Sequence, residues 1–429
     1  MIRLIYNLLF PVVFVVMLPY YLWRMLRRGG YGKGFLQRLG WYDADVKARL
    51  SKGPWFWVHA VSVGEMYVGL RFIEGWRAAH PGAAFVVTTN TSTAHRLAEK
   101  SMNPADVLLY FPVDFPIVVR SVLNRIKPAR LIMTEGELWP NLLHMARARG
   151  IPMAIINGRV SDRSFSRYRR LRGVFGPVLR TFNVICAQGR QDADRYAAIG
   201  ADPARVIVTG SAKYDVALQT PGDPAKGREI LAQAGIPATA LVLLGGSTWA
   251  GEEGILLDAY QWLKAAHPEL VLVLVPRHAE RRDEVMAAIR ARGLSVVQRS
   301  AMRDKPTPPV APDVLLADTT GELRHIYTVG DVVFVGKSLT QHGGQNVIEP
   351  AACGRAVVVG PNMENFPDVM QDFRAAGAIV QVPDAAQFAV EIERLLGDAA
   401  YRRAYGDKAR ALVDARRGGI QRMVEAIGT

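Results

Sequence analysis

Seven residues, His59-Ala-Val-Ser-Val-Gly-Glu65, set a carboxylate between an apolar run and a helical stretch. Trp55–Val61 reads as a buried strand and Met66–Ala79 as a helix, which puts Glu65 at a strand's carboxyl end, where open α/β sheets hold their ligands. A carboxylate there can take the proton of an attacking hydroxyl. The Ser62-x-x-Glu65 spacing is also that of a capping box, in which Ser62 accepts from one backbone N–H and Glu65 from another. Both readings fit the same four residues.

A second acidic cluster, Thr134-Glu-Gly-Glu-Leu-Trp-Pro-Asn141, again joins a strand to a helix start at Pro140. Glu135 lies nearer the strand end and faces the same edge as Glu65; Glu137 is favoured near a helix N-terminus whatever its function. Asn157–Ser164 is a third such segment, and Arg159 and Arg163 within it suit a phosphorylated acceptor, since guanidinium groups engage phosphate oxygens in pairs. Arg167, Arg169, Arg170 and Arg172 are explained as well by a solvated helix face. Lys213, in Thr209–Asp215, is placed to offer a point charge to a leaving phosphate in a cleft between domains.

Further along, Leu339–Pro350 is a loop whose Gly343 and Gly344 let backbone approach a ligand, with N–H groups at the following helix start available to an anion. Glu349 is one turn further in, within reach of a ribose hydroxyl. Pro276-Arg277-His278 and Thr319-Thr320-Gly321-Glu322 close two other strands, and all three segments converge on one sheet edge, where a nucleotide is expected. No P-loop and no G-x-G-x-x-G strand-to-helix turn is present. Two DxD triplets, at Asp43 and Asp192, fall near helix starts, so no metal is assigned to them.

These segments require elements to hold them. Strand-like runs at Trp55–Val61, Ala84–Thr88, Arg130–Met133, Met153–Ile156, Val184–Ala187 and Val206–Val208 alternate with helical stretches. After a break at Thr220–Pro224 the alternation resumes with Leu241–Leu244, Leu270–Val275, Leu294–Val297, Val314–Ala317, Val332–Val335 and Ala356–Val359. The succession predicts two α/β domains with doubly wound parallel sheets, as expected for 429 residues, half of them apolar. Cys186 and Cys353 stand far apart without metal-ligand spacing, which points to a reducing compartment and no structural zinc. The +14 formal charge suits anionic lipids or phosphorylated substrates. From Leu4 to Trp23 the chain is uncharged, long enough at about 20 residues to span a bilayer; Arg24, Arg27, Arg28, Lys33 and Arg38 after it place the rest on the cytoplasmic side. A helix lying in the interface, kinked at Pro11, is the alternative. The expected domains are an anchor over 1–28, an acceptor domain over 29–218 and a nucleotide domain over 219–429.

HAVSVGE, TEGELWPN, NGRVSDRS, TGSAKYD, VPRH, TTGELRHIY and HGGQNVIEP, in this order behind the apolar run, resemble the bacterial lipid A Kdo transferases, which move 3-deoxy-D-manno-octulosonic acid (Kdo) from CMP-Kdo to a lipid A precursor. The resemblance covers nearly the full chain. It implies a GT-B fold, two Rossmann-like domains with a cleft between them, behind an N-terminal membrane helix. It implies Glu65 as general base, and Glu135 and Lys213 as stabilisers of the transition state. For CMP it implies Pro276, Arg277, Thr320, Gly321, Glu322, Asn346, Val347, Ile348 and Glu349. Gly136 stands where threonine is common and Gln345 where histidine is common. The partners expected are CMP-Kdo, the precursor lipid IVA and anionic inner-membrane lipids, with no nucleic acid, no cofactor and no metal, at the cytoplasmic face of the inner membrane. Two rival readings are a GT-B transferase using a UDP-sugar on another lipid-linked acceptor, and a non-enzymatic nucleotide-binding membrane scaffold. The second has no reason to keep Glu65, Glu135 and Lys213 on one edge.

Overall fold

The computed structural model describes residues 2–28, 34–302, 308 and 310–428. It divides into two compact units, Met1–Val216 with Arg417–Thr429, and Ala217–Arg416. In the first, seven strands, β1 (Trp55–His59), β2 (Phe85–Thr89), β3 (Val107–Tyr110), β4 (Pro128–Thr134), β5 (Met153–Gly158), β6 (Val184–Ala187) and β7 (Val206–Val208), form one parallel sheet in the order β3-β2-β1-β4-β5-β6-β7. Sheets covered on both faces call for strands that are apolar throughout, and alternate residues feed two cores. Trp57, Leu131 and Met133 join one; Val58, Ile132 and Ile156 join the other. The register sets Val58 beside both Val87 and Ile132. The strand order reverses between β1 and β4, so the crevice for a ligand opens beyond their carboxyl ends.

The helix Val63–Ala79 follows β1 and buries Met66, Phe72, Ile73 and Trp76. Against it packs the last helix, Gly419–Gly428, which buries Ile420, Met423, Val424 and Ile427 in the same core. Asp215 fixes its start by accepting from Gly418 N–H at 2.8 Å and Ile420 N–H at 2.9 Å. A domain running from 219 to 429 is therefore corrected: the terminal helix belongs with the first sheet because its apolar face completes that core.

The second unit repeats the pattern. β8 (Leu241–Thr248), β9 (Leu270–Pro276), β10 (Val296–Gln298), β11 (Val314–Leu316), β12 (Val332–Val335), β13 (Ala356–Val359) and β14 (Val380–Gln381) run parallel in the order β10-β11-β9-β8-β12-β13-β14, with the reversal between β8 and β12. β3 and β14, edge strands of four and two residues, are the two that the sequence reading does not include.

The N-terminal run is helical from Ile2 to Arg28, with Pro11 and Pro19 inside. One side is held to the first unit: Tyr6 donates to Asp114 Oδ2 at 3.0 Å, Asn141 Nδ2 donates to Asn7 Oδ1 at 2.7 Å, and Phe10 and Phe14 meet Phe115 edge-on. Leu8, Leu9, Val12, Val13, Val15 and Val16 are exposed. Among the described residues no helix is long and apolar enough to cross a membrane, so the expected spanning anchor is not what the structure shows. Tyr6 and Asn7 on this helix are tied to polar groups of the sheet domain.

Candidate active site

At the reversal of the first sheet, the end of β1 meets the end of β4. Ser62 caps the helix Val63–Ala79 by accepting from Glu65 N–H at 3.2 Å. The Glu65 carboxylate turns back: Oε2 accepts from Val61 N–H at 3.0 Å and from the Thr134 hydroxyl at 2.8 Å. Capping and catalysis are thus not competing accounts. The cap holds one oxygen, and among the described residues no hydrogen bond goes to Oε1.

Glu135 follows at φ 58° and Gly136 at φ 119°, so the chain leaves β4 through a left-handed turn that side-chain-bearing residues enter at a cost. A Cβ on Gly136 would lie 2.8 Å from Tyr196 Oη, and Tyr196 is buried. This accounts for glycine at a position expected to favour threonine. Burial raises the Glu135 pKa, as does the nearby Glu65 charge; Lys213, Arg159 and the Asn157 amide oppose the rise. Glu137 is raised by burial and by the Glu65 charge. The structure therefore brings Glu65, Glu135, Glu137, Lys213 and Arg159 into one electrostatic cluster. The Arg163 side chain lies outside the described residues.

Asn157 was not legible as a site residue. It is fully buried at φ 53°; its Nδ2 donates to Glu135 Oε1 at 3.2 Å, and its Oδ1 accepts from Ala212 N–H at 2.9 Å. One amide thus ties the Glu135 turn to the helix Ala212–Ala217 that carries Lys213. An asparagine before a glycine signals a turn; its partners, 22 and 55 residues away, give no local sign. The two DxD triplets are structural: Asp43 caps the helix Ala44–Leu50, and Asp192 accepts from Val160 N–H at 2.8 Å.

On the second sheet, Pro276 ends β9 and Arg277 donates its N–H to Thr248 O at 3.0 Å. Asn346 donates through Nδ2 to Glu349 Oε1 and accepts from Ile348 N–H, both at 3.0 Å. Burial raises the Glu349 pKa; Asn346, Arg324 and Arg277 oppose it. Val347 and Ile348 are buried, so their side chains are closed to a ligand. Thr320 and Gly321 form an exposed turn with Gly321 at φ 88°. The Glu322 carboxylate is already engaged by Arg299 and the Thr319 hydroxyl, and the Arg299 hydrogen bonds hold its pKa below the usual range. In the glycine loop, Gly343 N–H donates to Glu364 and Gly344 N–H to Lys337 O, both outside the loop itself.

Residues 33–216 match the family model described as 3-deoxy-D-manno-octulosonic-acid transferase (kdotransferase), and residues 313–412 match glycosyl transferases group 1. A 3-deoxy-D-manno-octulosonic acid transferase of Bordetella pertussis is 34% identical over 415 residues, 95% of this chain and 94% of that protein. The chain belongs to the 3-deoxy-D-manno-octulosonic acid transferase family. A family member from Haemophilus influenzae is 29% identical over 92% of this chain and 91% of its own. Among solved structures, the UDP-GlcNAc 2-epimerase of Neisseria meningitidis aligns with a TM-score of 0.59 at 12% identity, covering 86% of this chain and 98% of that one, a likeness of fold alone. With the two parallel sheets it supports an α/β fold of GT-B type. As a family member the chain is a glycosyltransferase that transfers Kdo in lipopolysaccharide synthesis.

Proposed function

We propose that the enzyme takes Kdo from CMP-Kdo and places it, with inversion, on a sugar hydroxyl of the lipid A precursor lipid IVA. The observation that carries the roles is the Glu65 carboxylate, fixed through Oε2 by Val61 N–H and Thr134 at the sheet reversal. Its Oε1 takes the proton as the acceptor oxygen attacks the anomeric carbon of Kdo. As the bond to CMP breaks, positive charge spreads over the sugar ring and negative charge gathers on the phosphate. Glu135 meets the first and Lys213 the second, and Asn157 keeps the two in register. CMP is held by Pro276, Arg277, Thr320, Gly321, Asn346 and Glu349, with backbone from Val347 and Ile348; Glu322 contributes by shaping its turn through Arg299. Arg159 and Arg163 receive acceptor phosphate. A monophosphate leaving group needs little help from a divalent cation, so transfer should persist in a chelator.

The exposed apolar side of the N-terminal helix lies in the cytoplasmic face of the inner membrane, with anionic lipids drawn by the basic surface. Incubating the purified full chain with CMP-Kdo and lipid IVA, followed by mass spectrometry, tests the reading; UDP-sugars serve as the competing donors. Product from a UDP-sugar and none from CMP-Kdo would reject it.

A further inference from the structure

Five non-glycine residues among those described have positive φ: Lys127, Glu135, Asn157, Ser247 and Lys337. Lys127 ends a helix in the left-handed conformation common at such caps. The other four lie at or just beyond the carboxyl ends of β4, β5, β8 and β12. In the first sheet this strain falls on Glu135 and on the asparagine that holds it. In the second it falls on Ser247 and Lys337, at the carboxyl ends of the two strands between which the sheet order reverses, the place where open α/β sheets receive ligands.

Lys337 is the unexplained member. Its φ of 58° is one that glycine adopts freely and lysine does not, so the backbone alone gives no reason for lysine. The chain around it is nonetheless firmly held. The buried Glu252 carboxylate accepts from Lys337 N–H at 2.8 Å and from Trp249 N–H at 2.9 Å, clamping the loops after β12 and β8 to each other. A Cβ on the preceding Gly336 would lie 2.8 Å from Glu252 Oε2, so only glycine fits this close approach. Lys337 Nζ stands 4.6 Å from the centroid of the Trp249 ring, and His278, next to Arg277, meets that ring edge-on at 5.1 Å. Among the described residues no carboxylate pairs with the Lys337 ammonium. Thr248 Oγ1 and Trp249 Nε1, in the same loop, are buried without a hydrogen-bond partner.

A half-buried cation, steadied on an aromatic face, lacking a counter-ion and aimed by a strained backbone is built to meet an anion. We propose that Lys337 is a binding residue for anionic oxygens of the sugar-nucleotide donor at the reversal point of the second sheet. The assignment rests on CMP-Kdo being the donor, and that molecule offers two such groups, the phosphate of CMP and the carboxylate of Kdo. A charge-assisted contact of this kind corresponds to about a 10- to 100-fold change in affinity.

The test compares full-length wild type with Lys337→Gly and Lys337→Arg. Glycine relieves the backbone strain, so Lys337→Gly should melt no lower than wild type. Calorimetry with CMP and with cytidine, together with donor KM in Kdo transfer, identifies the contact. A phosphate contact lowers CMP affinity at least tenfold and leaves cytidine untouched. A carboxylate contact leaves CMP affinity unchanged and raises donor KM at least tenfold. In either case Lys337→Arg should recover part of the loss. CMP affinity and donor KM both within twofold of wild type in Lys337→Gly would overturn the proposal. Absence of transfer from CMP-Kdo by wild type would instead reject the donor assignment, and the CMP arm would still report on Lys337.

Discussion

At Glu65 the two carboxylate oxygens are not equivalent: Oε2 is occupied by Val61 N–H and Thr134, and Oε1 is what an acceptor hydroxyl would meet. Glutamine keeps an acceptor for the cap and cannot take a proton. Glu65→Gln should therefore lower kcat by about 10²–10⁴-fold while CMP affinity and the melting temperature stay close to wild type; retention of a tenth of the rate would reduce Glu65 to a cap. Glu135 depends on its neighbours more visibly, because burial and the Glu65 charge push its pKa up and Lys213 pulls it down. Removing that positive charge in Lys213→Met lets the pKa rise further, so the ionised form is lost at higher pH. The acid limb of the kcat profile should then move to higher pH, a shift that an ordinary surface lysine would not produce. Asn157→Ala strips a partner from Glu135 and leaves Ala212 N–H buried and unpaired, at a cost of about 1–3 kcal/mol in stability together with a fall in kcat. Equilibrium unfolding and steady-state rates measure the two effects.

Strands and their ends were readable because a covered parallel sheet writes itself as apolar runs closed by polar residues, which is how Glu65, Glu135, Arg277 and Glu349 came to light. Partner choice was not readable. Nothing local to Glu322 announces Arg299, nothing in the glycine loop announces Glu364, and nothing at Asp215 announces the helix Gly419–Gly428. Each such pairing spans at least 21 residues. The same holds at the end of β1, where His59 is fully buried, stacked on Phe111 at 3.7 Å and bonded through Nδ1 to Thr88. Burial, the largest cause, pushes its pKa down to about 3 from 6.5. Between those values the unfolded chain holds one proton more than the folded one, so stability is gained as pH rises through this window and lost as it falls. The slope from this residue is about 1.4 kcal/mol per pH unit. Urea unfolding of His59→Gln from pH 7 to pH 4 should show a flatter pH dependence than wild type; parallel curves would mean that other groups govern acid unfolding.

For the whole molecule, the apolar N-terminal run was legible as a helix, but its docking was not, since Tyr6 and Asn7 find Asp114 and Asn141 more than a hundred residues away. That docking turns Leu8, Leu9, Val12, Val13, Val15 and Val16 outward on a chain with a formal charge of +14. Two attractions of different physical character follow. Each basic residue near an anionic leaflet is worth about 1 kcal/mol, and salt screens it within ~10 Å at 0.1 M. Burial of apolar side chains among acyl chains is insensitive to salt at these concentrations. Removing residues Met1 to Arg28 should therefore leave a protein that still sediments with anionic vesicles at low ionic strength and detaches as salt rises. The full chain should stay bound across the same series and need detergent. Replacing Val12 and Val16 by glutamate attacks the exposed face without touching Tyr6, Asn7, Phe10 or Phe14, and should make the intact chain as salt-sensitive as the truncated one. If that double variant stays bound in high salt, the exposed face of the helix is not what binds the vesicles.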